Sequence, residues 1–281
     1  MPQPKLADIP EDVQRNIQSR LNEIERDQSI RIVLAVASGS RAWGFASEKS
    51  DYDVRFIFVR RHLDYLAVSE HGDLLVFPRR DMIDLSGWDL RHALRRGLLE
   101  DPALLERLTS PIVYRELGWE AAALRKLFVR ADSAKALLRH YFGLAHWRCR
   151  VDLEDRKTFK LKRYFQVIRP ALALLWLRQR PSETPPLSLP ALIQGVVLPD
   201  DVRKAITGLL ERRPLPRKVE ASERIAVLES FCKAQVAWAG EALGSVSPNP
   251  NEEIRAEAER IFVKSVLRQR GVGPSSSDKT V

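Results

Sequence analysis

Asp51 and Asp53 stand two residues apart at the mouth of the run Val54-Arg55-Phe56-Ile57-Phe58-Val59. The period of two along a strand aims both carboxylates at one face, and two carboxylates on one face can share a divalent cation. Upstream, Ser38-Gly39-Ser40-Arg41-Ala42-Trp43-Gly44-Phe45 follows the apolar, β-branched stretch Ile30 to Ala37. That pattern reads as a buried strand breaking into a turn that opens a short helix, and the free amides of such a turn can hold phosphate oxygens. Mg²⁺ is usually held by one or two carboxylates together with substrate phosphates. A phosphate turn and a carboxylate pair facing one space therefore make a nucleoside triphosphate site, with Mg²⁺ or Mn²⁺ as the expected cofactor. Taken singly, Asp-x-Asp is common on surfaces and Gly-Ser is an ordinary turn; the signal lies in their order between two apolar strands.

Metal-assisted chemistry on a bound triphosphate also calls for a group that positions or deprotonates an attacking nucleophile beside the metal. Two acids are candidates. Asp84 lies in the short apolar strand pattern Asp81-Met82-Ile83-Asp84-Leu85, which ends at Ser86-Gly87. Asp89 opens the helical stretch Leu90 to Leu99, where a carboxylate is already explained as a partner of the helix dipole. Asp84 is the stronger candidate on that ground, and the spacing leaves Asp89 open.

The order of apolar strand, Gly39-Ser40, short helix, and Asp51-Tyr52-Asp53 on the next strand resembles the nucleotidyltransferases of the DNA polymerase beta superfamily. Within it the chain is most similar to the RNA-ligase-associated (RNA repair pathway) branch. Three blocks carry this likeness: Gly39-Ser40-Arg41-Ala42-Trp43-Gly44, Ser50-Asp51-Tyr52-Asp53-Val54-Arg55-Phe56, and Ser86-Gly87-Trp88-Asp89. It spans residues 30 to 180, is densest between 38 and 89, and grows thin beyond. The resemblance implies an α+β fold, a small mixed-sheet nucleotidyltransferase core followed by a helical domain. It implies a third acid on a strand, in favour of Asp84, with Asp51, Asp53 and Asp84 as both the catalytic set and the metal ligands. Gly39 and Ser40 would steady the β/γ-phosphates, with Arg41 in the same turn. The block Lys157 to Pro170 looks like the helix by which related enzymes bring Lys and Arg against the triphosphate, nominating Lys162 first, then Arg169 and Lys160. Without the resemblance, Lys162 and Arg169 read as a solvated basic face beside an apolar stripe of Phe165, Ile168, Leu172 and Leu175. Arg55 shares the alternating face of Asp51 and Asp53 and is a candidate to neutralise them, and Tyr164 reads as packing.

The elements that must position these residues divide the chain. A lead-in helix places Val13, Ile17, Leu21 and Ile24 at helical spacing. Strands cluster early, the later two at Asp73 to Phe77 and Met82 to Leu85, and from Trp88 onward the pattern is helical, which argues for α+β. The expected helices are 90–99, 102–108, 116–129, 133–151, 159–180, 200–211, 222–242 and 252–268. Residues 1–110 are expected to form the catalytic core, 111–270 the helical domain, with a Pro/Ser-rich linker at 181–190, and 271–281 a disordered tail.

With 281 residues, 44% of them hydrophobic, the chain can bury a proper core. No apolar run approaches the ~18 residues of a membrane span, no secretory pattern opens the chain, and Cys149 and Cys232 read as free buried thiols. No membrane association and a cytoplasmic location are expected. A net charge of +9 attracts polyanions, nucleotides and RNA among them, and is equally a solubility device. The five His residues are scattered and suggest no ligand cluster. The favoured reading is transfer of a nucleoside monophosphate from NTP to a hydroxyl at an RNA end. Nucleotidylation of a protein or small molecule uses the same core, because the core specifies the donor. A catalytically silent nucleotide- or partner-binding module would not need both acids together with Gly-Ser.

Overall fold

The computed structural model describes residues 3–69, 71–129, 134–153, 158–159, 162–211, 219–220, 225–244 and 252–268, with Lys162 described in its backbone alone. The lead-in helix α1 (Glu11–Gln28) buries Ile17, Leu21 and Ile24. There follow β1 (Ile30–Ser38), the one-turn α2 (Gly39–Ala42), β2 (Tyr52–Arg60), β3 (Leu74–Val76) and β4 (Ile83–Asp89). Next come α3 (Leu90–Leu98), α4 (Pro102–Leu108), β5 (Val113–Glu116), α5 (Glu120–Phe128) and α6 (Ala134–Arg148). The remainder is β6 (Thr158–Phe159), α7 (Lys162–Gln179), α8 (Leu189–Gly195), α9 (Asp200–Glu211), β7 (Val219–Glu220), α10 (Ala226–Leu243) and α11 (Glu252–Arg268).

The architecture is α+β. One mixed five-stranded sheet has the order β3-β4-β2-β1-β5. Its β2 and β4 run parallel, and its other neighbours pair antiparallel. Alternation sorts the side chains to two faces. Val54, Phe56 and Phe58 of β2 and Ile83 and Leu85 of β4 pack with Ile17, Leu21 and Ile24 of α1. Ile57 and Val59 of β2 belong to a second cluster built with α3 to α7 and α10. On β1 the register shifts between Ile32 and Leu34. That bulge lets the consecutive Val33 and Leu34 both reach the helical side. Asp53 and Arg55 alternate with Val54 and Phe56, and Asp84, Ser86 and Trp88 with Ile83 and Leu85, so all five face the helical layer.

Three of the differences from expectation have local reasons. The expected strand 82–85 continues to Asp89 because its ladder with β2 runs on to Phe58 opposite Asp89, and Gly87 gives the room that the Phe56 ring needs. The sheet also extends beyond residue 110: β5 takes Val113–Glu116 from the stretch assigned to the helical domain, so the helix expected from 116 starts at Glu120. The stretch 181–190 is not wholly linker, since Ser188 caps α8, its side chain accepting from the Ala191 amide. The tail 271–281 lies outside the described residues. Among the described residues no helix is long and apolar enough to cross a membrane.

Helix α7 runs through the helical layer with Tyr164, Phe165, Val167, Ile168, Ala171 and Leu172 all buried. The Tyr164 hydroxyl donates to Glu229 at 2.9 Å and accepts from the Ile225 amide, tying α7 to α10.

His140 on α6 is half-buried, and its Nε2 is buried and unpaired. Burial pushes its imidazole down to about 4, against the opposing pull of Glu106 and Asp101 and with the help of Arg169. In the unfolded chain His titrates near ~6.5. Between that value and about 4 the unfolded state takes up a proton that the folded state refuses, so this group's contribution to stability is lost as the pH falls through that window. At the bottom of the window the loss is on the order of ~3 kcal/mol. His140→Phe is expected to shrink the difference between urea midpoints measured at about pH 7 and about pH 4.5; an unchanged difference would contradict this.

Candidate active site

The turn after β1 sits directly on a carboxylate. Ser38 is the ladder partner of Asp53, and Gly39 follows with φ 63°. A Cβ at Gly39 would overlap Asp53 Oδ2, so glycine meets both the backbone angle and the close approach. The Ser40 side of the turn is buried.

Parallel pairing of β2 with β4 sets Asp53 opposite Asp84. Arg55 lies between them: Nη2 meets Asp53 Oδ1 at 3.2 Å, and Nη1 meets Asp84 Oδ1 at 3.2 Å. Asp51 precedes β2 and is turned to Arg79, whose Nη1 lies 2.8 Å from its Oδ2. The structure thus brings Asp53 and Asp84 together on one cation and holds Asp51 on another. Among the described residues, no three acidic, His or Cys side chains gather closely enough to hold a metal ion. Arg55 and Arg79 are the cations that these carboxylates meet. The donor set fits a hard cation: it is all oxygen, it comes from adjacent points on two strands, and it is already arranged around positive charge.

Asp89 stands elsewhere. It caps α3, accepting from the Arg91 amide at 2.8 Å and from the Tyr65 hydroxyl at 2.9 Å, and Arg60 Nε lies 3.8 Å away. Burial raises its carboxyl above the usual range, opposed by the Arg91 and Tyr65 hydrogen bonds and the Arg60 charge. This is the helix-terminal role its position suggested.

A cavity of about 300 Å³ opens over the turn. Gly39, Ser40, Asp53 and Arg55 line it from the sheet side, with Trp43 and Phe45 from the segment after α2 and Gln166 from α7. Phe45 stacks on Phe165 of α7 with centroids 5.2 Å apart, which fixes the helix against the turn. Gln166 was not anticipated from sequence. It is a polar residue one turn beyond Lys162 in a largely apolar helix, and Arg148 Nη1 donates to its Oε1 at 2.9 Å.

The other expected cations are placed differently from one another. Arg41 turns away from the cavity to the Ser50 carbonyl at 2.6 Å and the Asp51 carbonyl at 3.3 Å, with its guanidinium over the Tyr52 ring. It pins the loop that leads to Asp51. Arg169 is buried, pairs with Glu106 at 2.6 Å and lies over Trp43, behind the cavity wall. The side chain of Lys162 and all of Lys160 lie outside the described residues. Lys162 is nonetheless four residues before Gln166 on a continuous helix, so the two share a face.

Comparison with known proteins gives three findings. The RNA repair pathway DNA polymerase beta family matches residues 13–264 of the chain. An uncharacterized protein of Bacillus subtilis, YcgL, is 34% identical over 254 residues, covering 90% of this chain and 96% of that protein. A solved nucleotidyltransferase-like protein from Exiguobacterium sibiricum aligns with a TM-score of 0.32 at 13% identity, covering 94% of this chain and 82% of that one.

Proposed function

The chain belongs to the RNA repair pathway DNA polymerase beta family, and from that premise we propose that it is a metal-dependent nucleotidyltransferase. It moves a nucleoside monophosphate from NTP to a hydroxyl acceptor, an RNA end in the favoured case. The observation that carries this reading is the register of Asp53 with Asp84 beside a glycine turn that opens on a cavity.

Asp51, Asp53 and Asp84 are the residues that would hold Mg²⁺ or Mn²⁺, which when bound supplies charge stabilisation at the phosphates and eases deprotonation of the attacking hydroxyl. Amides of Gly39 and Ser40 steady the β/γ-phosphates at the mouth of the turn. Asp84, on β4 and one strand further from the turn than Asp53, orients the acceptor hydroxyl and takes its proton. The hydroxyl oxygen bonds to the α-phosphorus, the bond to the bridging oxygen breaks, and pyrophosphate leaves with that electron pair. Arg55 holds Asp53 and Asp84 in their rotamers before substrate arrives.

Lys162 supplies a contact to the β/γ end from the helical side, on the face that carries Gln166. Lys162→Ala is expected to weaken triphosphate binding about ten- to a hundredfold, the worth of one charged hydrogen bond, and monophosphate binding much less. Equal small effects on both ligands would place Lys162 on a solvated basic face. The acceptor is identified by incubating purified protein with labelled NTP, Mg²⁺ or Mn²⁺, and RNA, protein or metabolite pools. Label appearing only in protein or metabolites would overturn the RNA assignment, and label in none would overturn the enzyme.

A further inference from the structure

We infer that Arg107, acting with Arg55, binds a phosphate group on the carboxylate-bearing face of the sheet, a site that deepens the nucleotidyl-transfer reading and rests on it. Arg107 lies on α4 and is 9% exposed. Its Nη1 is buried without a hydrogen-bond partner, and among the described residues it makes no ion pair. Its guanidinium lies over the Trp88 ring, 3.5 Å from the centroid. The other buried arginines, Arg60 and Arg169, each also carry one nitrogen that makes no hydrogen bond but have a carboxylate to offset their charge, Arg60 with Asp89 at 3.8 Å and Arg169 with Glu106 at 2.6 Å. A buried guanidinium without such a partner is costly, and stacking on an aromatic ring satisfies none of its N–H donors.

Its neighbourhood is positive. Burial lowers Arg107 to about 9, and Arg55 is the next cause, ahead of the opposing Asp101. Burial lowers His92, whose ring meets Trp88 edge-on at 5.1 Å; Asp73 opposes this, and Arg96 and then Arg107 add to it. Trp88, Ser86 and Asp84 share one face of β4, and Arg55 is the ladder partner of Ser86. Arg107 therefore stands next along the sheet from the Asp53–Arg55–Asp84 group. Arg55 is already engaged by two carboxylates, so Arg107 carries the positive charge that an incoming anion meets. A phosphate suits the position, because its several acceptor oxygens can span two planar guanidiniums. Both the acceptor strand and the donor triphosphate carry that chemistry.

The test is direct binding in EDTA, which requires no turnover. Wild type and Arg107→Met are titrated with a short RNA oligonucleotide and, separately, with α,β-methylene ATP. Methionine keeps an apolar stem over Trp88 and removes the buried charge, a change that folds tend to accept; Arg107→Gln is measured alongside it and decides the matter where the methionine variant does not fold. The expected result is a loss of about ten- to a hundredfold in affinity. Loss for RNA alone assigns the phosphate to the acceptor, and loss for the nucleotide assigns it to the donor. Unchanged affinity for both would overturn the proposal and leave Arg107 a packing residue. Failure of the transfer reading shows elsewhere, in turnover that persists without Asp53, and does not alter this binding result.

Discussion

Asp53→Asn is expected to abolish nucleotide transfer while leaving the fold in place. Asparagine keeps the volume and can still accept a hydrogen bond from Arg55, so the ladder with Ser38 and Asp84 is preserved. What is lost is the negative charge at the point where three elements of the site converge: the glycine turn, Arg55 and the cavity. A metal centre supplies several kcal/mol of charge stabilisation, and each 1.36 kcal/mol is about tenfold in rate, so a fall of about a thousandfold or more is the scale. Rates of pyrophosphate release together with circular dichroism melts check it. Undiminished turnover in a folded variant would remove Asp53 from the chemistry.

Gly39→Ala is expected to damage site and stability together. At φ 63° an L side chain is strained, by about 1 kcal/mol relative to glycine. The added methyl would also drive into the Asp53 carboxylate, and relieving such overlap costs about 1–3 kcal/mol. The carboxylate must move, and it moves off the Arg55 and Asp84 alignment. Turnover is expected to fall about a hundredfold, in line with displacement of a reacting group by about 1 Å, with a lowered melting temperature. Full activity in Gly39→Ala would mean that the turn does not set the position of Asp53.

The part of the fold legible in the sequence was the part made by local pattern. The β-branched run Ile30 to Ala37 and the alternation after Asp53 produced β1 and β2 where expected, and Pro102–Leu108 and Asp200–Glu211 folded as helices with the expected limits. The strand β5 was hidden because Val113-Tyr114-Arg115-Glu116 is four residues with no run of its own; pairing with β1 makes it a strand. Within the site, the glycine turn and the acid pair were visible as types and spacing. The roles of the arginines were not, because each is decided by a partner distant in sequence or by backbone geometry. Arg169 looks like a surface cation until Glu106 of α4 is placed beside it, and nothing local announces that Arg41 donates to the loop carbonyl of Ser50. Gln166 and Arg107 have no local signature at all. One lines a cavity that exists only when α7 packs on the turn, and the other stacks on a tryptophan of a neighbouring strand.

The central claim is that this site breaks NTP between the α- and β-phosphates and passes the nucleotide to a hydroxyl. The most direct measurement supplies the purified protein with RNA, Mg²⁺ and NTP labelled in parallel at the α- or the γ-phosphate, and follows each label. The account predicts that α-label enters the acceptor and γ-label leaves as pyrophosphate, both at rates that collapse in Asp53→Asn. Entry of γ-label into the acceptor, or tight NTP binding with neither label transferred, would contradict it.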